Sequence, residues 1–166
     1  MHIRQSGEPA PPIEAVDPRT GQDMTLDRII AGRTTLIYWI KTECPVCQMA
    51  MPYLERMSSK LAEGGPSDGQ LVVLTQNDPA ELDRFRQNYG CRTVSILCEP
   101  EPYPSADSYG LTHVPTWFLV GPDSKILDSG MSFAPSELTA CYREFGGTGR
   151  LFSDAEESEM PDRRPG

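Results

Sequence analysis

Two cysteines, Cys44 and Cys47, are separated by two residues and stand where a strand pattern gives way to a helix pattern. Residues 34–40 form a continuous β-branched and aromatic run, which is typical of a buried strand. The residues after the pair favour a helix as far as about position 61, and Pro45 suits its first turn. The sequence therefore predicts Cys44 at the N-cap of a helix, with Cys47 one turn inside it and close enough to form a disulfide.

The start of a helix is a favourable place for a reactive cysteine. Free N–H groups and the positive end of the helix dipole stabilise an anion there, and the thiolate is the reactive form of cysteine. Half of a zinc site and two inert core thiols are the alternatives to a redox pair. Zinc needs four ligands, whereas the only histidines are His2 and His113 and there is no second pair of closely spaced cysteines. We therefore predict a redox-active pair, with no bound metal or cofactor.

Composition and charge limit the class of protein. The chain has 166 residues, of which 38% are hydrophobic and 23% charged, and this suits one globular domain with its own core. The formal net charge of −9, without a basic patch, argues against binding to nucleic acid or to anionic membrane surfaces. No apolar run is long enough to span a bilayer. We expect a monomer that does not insert into membranes.

The two ends of the chain are expected to lie outside this domain. Residues 1–6 are predicted to be flexible, residues 7–146 to form the domain, and residues 147–166, with their acidic run, to be a disordered tail. The first ten residues are polar and lack the apolar centre of a secretory signal. The expectation is a cytoplasmic protein, or an extracytoplasmic one if a signal or anchor has been removed.

Strand and helix patterns alternate along the chain. The predicted elements, in order, are a hairpin over 13–25, a short helix at 26–31, a strand at 34–40, the helix after the cysteines, a strand at 71–74, a helix ending near 90, a strand at 94–97, a helical turn at 105–109, a hairpin over 116–128 and a helix at 135–145. This order predicts an α/β fold whose mixed sheet is covered by helices on both faces.

Four features resemble the thioredoxin superfamily, most closely its TlpA/ResA-like, AhpC/TSA-related redoxins. They are the Cys44-Pro-Val-Cys47 motif after a strand, Pro52 in the following helix, the segment Val114-Pro115-Thr116, and the proline-rich start at 7–12 with its hairpin. The resemblance covers about residues 7–145. It implies a three-layer α/β/α thioredoxin-like fold with an N-terminal hairpin extension and a strand–helix insert before a cis-proline.

The resemblance also implies a thiol–disulfide oxidoreductase. Cys44 would attack a disulfide of a protein substrate, Cys47 would resolve the mixed disulfide, and an unidentified partner would exchange electrons with the pair. A peroxiredoxin-like peroxidase ranks lower, because Lys41 occupies the position of its usual threonine and Thr42 is out of register. A redox-sensing module of the same fold, without turnover, is the alternative outside enzymes.

The substrate groove implied by the resemblance lies beside the first cysteine. A cis bond before Pro115 would set the backbone of Val114 next to Cys44, where it could bind an extended peptide. Three further residues are expected to contact the substrate: Pro45, Val46 and His113. The histidine could help to move protons, or it could be an ordinary loop residue.

The sequence departs from the family pattern close to the cysteines. Glu43 replaces a tryptophan, and its carboxylate disfavours the neighbouring thiolate while the helix start favours it. We expect Glu43 to tune the acidity of Cys44, and the pair to be a reductant or a mild exchanger. Ala50 and Tyr38 occupy the two positions where relatives carry a buried carboxylate for proton handling. The proton route is therefore left open by the sequence.

Three further cysteines complete a set of five, which cannot all pair within one chain. Cys98 ends a predicted strand and Cys141 lies on the apolar side of the last helix, so both are expected in the core. Cys91, beside Gly90, is expected to be more exposed. A second redox pair of Cys91 with Cys98 is disfavoured, since strand geometry at that spacing holds them apart.

Overall fold

One mixed sheet of seven strands forms the centre of the computed structural model, which describes residues 6–64 and 68–160. The strands are β1 (Glu14–Val16), β2 (Asp23–Thr25), β3 (Thr34–Ile40), β4 (Gly69–Thr75), β5 (Ser95–Cys98), β6 (Thr116–Val120) and β7 (Ile126–Met131). The helices described are α1 (Leu26–Ile30), α2 (Pro45–Glu63), α3 (Pro79–Tyr89), α4 (Pro104–Ser108), α5 (Pro135–Glu144) and α6 (Asp154–Glu159).

The strand that leads to the cysteines lies inside this sheet. The strand order is β2-β1-β5-β4-β3-β6-β7. β3 pairs in parallel with β4 and antiparallel with β6, so it has neighbours on both sides. Its β-branched and aromatic residues suit a strand that is buried on both faces. The predicted mixed sheet is confirmed, and the end of β3 presents the following residues at the carboxyl edge of the sheet.

Successive residues of β3 supply the two cores of the molecule. Tyr38 and its neighbours two positions away belong to the core beneath α2, α3 and α5. Trp39 belongs to the opposite core, with Tyr109 and Phe118, where α1, α4 and the N-terminal segment cover the sheet. This alternation follows from the two-residue period of a strand. Both faces are covered, as the three-layer fold requires.

The N-terminal segment runs along β7, the last strand of the sheet. The Gly7 N–H donates to the Ile126 carbonyl at 2.8 Å, and the Ile126 N–H donates to the Glu8 carbonyl at 2.9 Å. The Ala10 N–H donates to the Ser124 carbonyl at 2.8 Å. The start of the chain thus supplies main-chain partners to the first residues of β7. The predicted flexibility of residues 1–6 falls mostly outside the described residues.

The helix after the cysteines is the longest of those described. It continues through Pro52 to Glu63, and its buried side faces the sheet through Met51, Leu54 and Met57. No helix within residues 6–64 and 68–160 combines the length and apolar character needed to cross a membrane.

The prediction of a disordered tail is wrong for residues 147–160. Leu151 and Phe152 are each only 1% exposed. The Phe152 ring packs against Tyr53 of α2 with centroids 4.8 Å apart and lies 6.3 Å from Phe133. The acidic composition of the tail gave no indication of this contact with α2, because the two apolar residues come directly before the charged run. The rest of the predicted tail, residues 161–166, lies outside the described residues.

The acidic run itself forms α6 on the surface. Ser153 and Glu156 make a reciprocal capping box at its start, which satisfies two free backbone donors. Arg56 of α2 donates to both carboxylate oxygens of Glu156, at 2.8 and 3.0 Å. The hydrogen bond from Arg56 is the main cause that lowers the pKa of Glu156 to about 2. The segment is thus joined to α2 by an apolar contact and an ion pair.

Candidate active site

Cys44 is the N-cap residue of α2, as predicted. Its backbone is extended, and its sulfur accepts a hydrogen bond from the Cys47 N–H at 3.3 Å. Pro45 occupies the first turn, where a missing N–H costs nothing. Cys44 is partly accessible, whereas Cys47 has no exposed surface. The first cysteine is therefore the one that a substrate can reach.

Cys47 packs beneath Cys44 in the core between α2 and the sheet. Burial is the largest cause that raises the pKa of the Cys47 thiol, and the hydrogen bond with Cys44 adds to it. Both cysteines are free thiols in this structure. Burial thus favours the neutral thiol form of Cys47.

The backbone of Val114 lies beside the first cysteine. Its carbonyl oxygen is 3.8 Å from the Cys44 sulfur, and the bond to Pro115 is cis. The Pro115 carbonyl accepts a hydrogen bond from the Ser132 N–H at 2.7 Å, which ties this loop to the end of β7. The predicted placement of Val114 next to Cys44 is confirmed. Its role in binding substrate stays a prediction.

The other predicted groove residues lie at the surface near the same cysteine. Pro45 and His113 are exposed, and Val46 is partly buried. The His113 ring nitrogen Nδ1 is 2.7 Å from the Thr112 hydroxyl, and its carbonyl accepts from the Thr116 hydroxyl at 2.9 Å. His113 is thus held within its own loop, and its role in substrate binding or proton transfer stays a prediction.

Glu43 faces α3 through its carboxylate. The Asn77 side-chain amide donates to it at 3.0 Å, and the Thr42 hydroxyl donates at 3.2 Å. The hydrogen bond from Asn77 is the main cause that lowers the pKa of Glu43. Through these contacts Glu43 helps to hold the loop that precedes Cys44. Its predicted effect on the acidity of that thiol stays a prediction.

Asn77 is a site residue that sequence reasoning missed. Its Oδ1 accepts from the Thr42 N–H and from the Thr75 hydroxyl, both at 2.9 Å. Its Nδ2 donates to Glu43 and, at 2.9 Å, to Glu81. The next residue, Asp78, is the N-cap of α3. Asn77 instead joins the end of β4 to the loop that carries Cys44.

Asn77→Ala is expected to loosen the loop before Cys44. It leaves the Thr42 N–H without its side-chain acceptor, which typically costs about 1–3 kcal/mol of stability. The reaction of Cys44 with iodoacetamide should change at the same time, since the loop positions its backbone. Urea unfolding and alkylation rates measure the two effects. Asp83→Ala, on the exposed side of α3, is the control, and equal behaviour of the two variants would contradict this role.

Cys91 is buried, and the expectation of greater exposure is wrong. Gly90 ends α3 in the left-handed conformation with φ 65°, and the Cys91 N–H donates to the Arg86 carbonyl at 3.0 Å. This is the Schellman arrangement, in which the residue after the glycine turns back onto the helix. Cys91 is therefore only 4% exposed, and burial raises its pKa to about 11.

Cys98 and Cys141 are buried as predicted. Burial is the main cause that raises the pKa of each thiol, in Cys141 to about 12. Among the described residues, no three or more His, Cys, Asp or Glu side chains are grouped so that they could hold a metal ion.

Comparison with known proteins places this site in a family. A family model described as the AhpC/TSA family matches residues 6–129, which is most of the chain. The chain belongs to the AhpC/TSA family. The match includes both cysteines of the motif, the segment around Pro115 and the N-terminal hairpin. It confirms the family resemblance predicted from these motifs.

The similar ResA and DsbE proteins are distant from this chain in sequence. The thiol-disulfide oxidoreductase ResA of Halalkalibacterium halodurans is 24% identical over 101 residues, or 60% of this chain and 54% of the relative. The chain therefore aligns with about half the length of this curated relative. A putative thiol:disulfide interchange protein DsbE from Chlorobium tepidum has a TM-score of 0.67 at 19% identity, covering 86% of this chain and 96% of that one.

A second solved structure has a fold similar to that of this chain. A thiol:disulfide interchange protein from Bacteroides sp. has a TM-score of 0.66 at 17% identity, covering 79% of this chain and 84% of that one. Together with the strand order, these structures confirm the thioredoxin-like fold.

Proposed function

We propose that this protein is a thiol–disulfide oxidoreductase that uses Cys44 and Cys47 to reduce or exchange disulfides in protein substrates. The observation that carries the proposal is the geometry of the pair. The Cys44 sulfur sits at a helix N-cap, 3.3 Å from the Cys47 N–H, with Cys47 buried directly behind it. A partly exposed nucleophile with a protected resolving thiol is the arrangement that disulfide exchange needs.

The proposed reaction has two exchange steps. The Cys44 thiolate attacks a substrate disulfide, forms a mixed disulfide and expels one substrate sulfur as a thiolate. The Cys47 sulfur, once it has lost its proton, attacks Cys44, and the second substrate sulfur leaves with the electron pair of the broken bond. The substrate gains two electrons and the protein keeps a Cys44–Cys47 disulfide. A reduced dithiol partner then restores both thiols by the reverse sequence.

The groove around Cys44 favours an extended protein segment as substrate. The Val114 main chain lies beside the sulfur, and main-chain hydrogen bonds can hold an extended peptide without regard to its side chains. The surface of Pro45, Val46 and His113 completes the groove. The monomeric state and cytoplasmic location expected from the sequence stay predictions.

Two other functions are compatible with the fold. A peroxidase is disfavoured because Lys41 stands where the usual threonine is expected, and because a peroxidase does not need a resolving thiol at this spacing. A redox sensor would use the same pair as a switch without turnover. The geometry does not favour either over exchange.

Measuring turnover distinguishes disulfide exchange from a redox switch and from a peroxidase. Reduction of a disulfide-linked peptide, with dithiothreitol as electron source, should proceed through many cycles per protein molecule. One equivalent of peptide reduced and no more would indicate a switch. Rapid consumption of hydrogen peroxide without peptide reduction would indicate a peroxidase and would overturn the proposal.

A further inference from the structure

The three parallel strands of the sheet end at one edge. β3 pairs in parallel with β4, and β4 pairs in parallel with β5, so the segments that follow them lie along that edge. Cys44 lies in the segment after β3, residues 76–78 follow β4, and residues 99–103 follow β5. Ligands of open α/β sheets commonly bind at this edge. The segments after β4 and β5 are therefore the neighbours of the cysteine in which a further site is expected.

A pocket of about 570 Å³ lies between the segments after β4 and β5. Four acidic residues contribute to its wall, namely Asp78, Glu81, Glu99 and Glu101. Among the described residues, no lysine, arginine or histidine lines it. A concave surface with charges of one sign attracts a ligand of the opposite sign. The charge of the wall thus favours a cationic group, and the volume is large enough for a long side chain.

Glu99 is the acidic residue that the fold buries in this wall, at 2% exposure. Its Oε1 accepts hydrogen bonds from the backbone N–H groups of Ser105 and Ala106 at the start of α4. Its Oε2 has no hydrogen-bond partner among the described residues. Burial is the main cause that raises the pKa of Glu99, and Gln76 lies near enough to oppose this without bonding to Oε2.

The free oxygen of Glu99 is a second indication of a cationic ligand, independent of the number of acidic residues. A buried carboxylate oxygen without a partner costs free energy. Since Oε1 is held by α4, Oε2 is the oxygen that remains for the pocket. A donor with a positive charge would satisfy this oxygen and would favour the ionised form of the carboxyl group.

Asn77 links the pocket to the loop before Cys44. It belongs to the pocket wall, and its side chain accepts from the Thr42 N–H at 2.9 Å and donates to Glu43 at 3.0 Å. Glu43 directly precedes Cys44. An extended chain advances by about 3.3–3.6 Å per residue. Roughly three to five residues of a bound peptide would therefore span the path from Cys44 to the pocket.

We propose that this acidic pocket binds a lysine or arginine side chain of the disulfide-containing polypeptide that reacts at Cys44. Glu81, Glu99 and Glu101 supply the negative charge. Tyr103, whose hydroxyl lies 3.4 Å from the Glu101 carboxylate, adds an aromatic ring, which favours cations. This inference rests on the proposed function. It makes substrates with a basic residue a few positions from the reacting cysteine the preferred ones.

The surroundings of the pocket favour a basic side chain over a metal ion. Within the described part of the chain, no three His, Cys, Asp or Glu side chains are close enough to hold one metal ion. The carboxylates are thus spread along the pocket, which suits an elongated cation. The positive charges of Arg84 and Lys41 act on Asp78 and Glu43, but neither side chain lines the pocket. The negative charge of the wall is therefore available to a substrate.

Paired peptides test this contact. Two peptide disulfides that differ only by Lys or Gln four residues from the cysteine are reduced in competition, which gives the ratio of their kcat/KM values. In the unaltered protein the Lys peptide should be favoured by about fivefold at low ionic strength, the scale of one well-placed ion pair. The ratio should fall toward one as salt is added. A peptide with its lysine ten residues away should show no preference.

Glu81→Gln and Glu101→Gln should each lower this ratio by at least about twofold. Neither residue is buried, so both variants test the pocket even where Glu99→Gln does not fold. Asp83→Asn is the matched control, since Asp83 is an exposed residue of the same helix as Glu81 and does not line the pocket. It changes the net charge equally and should keep the ratio.

Two results would overturn the inference. One is an unaltered protein that does not distinguish the Lys and Gln peptides. The other is a ratio that Asp83→Asn lowers as much as Glu81→Gln does, because that would indicate general attraction to an acidic protein rather than a contact in the pocket.

Peptides with serine in place of cysteine separate this inference from the proposed function. In a titration of ¹⁵N-labelled protein, the Lys peptide should shift amide signals of residues 76–81 and 99–103, and the Gln peptide should leave them in place. Equal shifts with both peptides, or shifts confined to other residues, would overturn the pocket. No reduction of any peptide disulfide would instead reject the proposed function, and the titration would still decide whether the pocket binds a basic side chain.

Discussion

Cys44→Ser is expected to abolish disulfide exchange, lowering kcat/KM for a peptide disulfide by at least about 10³-fold. A serine hydroxyl is not ionised at neutral pH and cannot replace the thiolate as nucleophile. Losses of this size are usual when a catalytic nucleophile is removed. The fold should survive, because a serine at an N-cap can accept the same hydrogen bond from the backbone. Steady-state reduction with dithiothreitol measures the effect.

Cys47→Ser should behave differently, because it keeps the nucleophile and loses the resolving thiol. The variant should accumulate a mixed disulfide between Cys44 and the substrate, visible by mass spectrometry as an adduct that reductant removes. Cys98→Ser, another buried cysteine, is the matched control and should keep turnover. A stable adduct on Cys47 in the Cys44→Ser variant, or turnover retained in that variant, would reverse the assignment of the two roles.

Phe152→Ala is expected to lower the free energy of unfolding by about 3–5 kcal/mol, the usual cost of truncating a buried phenylalanine. Phe152 is 1% exposed and contacts the rings of Tyr53 and Phe133. Its removal leaves a cavity between α2 and the C-terminal segment. Urea unfolding followed by tryptophan fluorescence measures the difference.

Leu127→Ala is the control for this measurement, since Leu127 is 45% exposed. A change at such a site should stay within about 0.5 kcal/mol. If Phe152→Ala proved as mild as the control, the segment around it would contribute little to the fold. The disordered tail expected from composition would then describe the protein in solution.

The elements predicted correctly from the sequence are those whose local hydrophobic pattern matches their surroundings in the folded protein. The bounds of β3 follow from an unbroken β-branched and aromatic run that only a central strand can bury. The position of Cys44 follows from the change of period after Ile40 and from Pro45, which favours a helix start. The family resemblance around Pro115 also implied which backbone lies beside the sulfur.

Other features depend on contacts between distant parts of the chain, and these contacts cannot be inferred from the local sequence pattern. Leu151 and Phe152 are two apolar residues beside a charged run. Their burial depends on the surface of α2, which lies far away in the sequence. The turn at Gly90 buries Cys91 through main-chain geometry rather than through its own hydrophobicity. Glu137 of α5 accepts a hydrogen bond from the Trp117 indole of β6 at 3.0 Å, a contact that only the packing of the helix against the sheet creates.

The pairing of Gly7 and Glu8 with Ile126 covers part of an outer edge of the sheet. β7 is the last strand of the sheet, and the open main chain of such a strand can recruit a strand from another molecule. The N-terminal segment occupies the first part of this edge, and the Ser6 hydroxyl also donates to the Leu127 carbonyl at 2.8 Å. A shortened variant that begins after Ala10 would leave this edge open. It should form aggregates as its concentration rises, so fusion partners belong before Ser6 rather than in place of the segment.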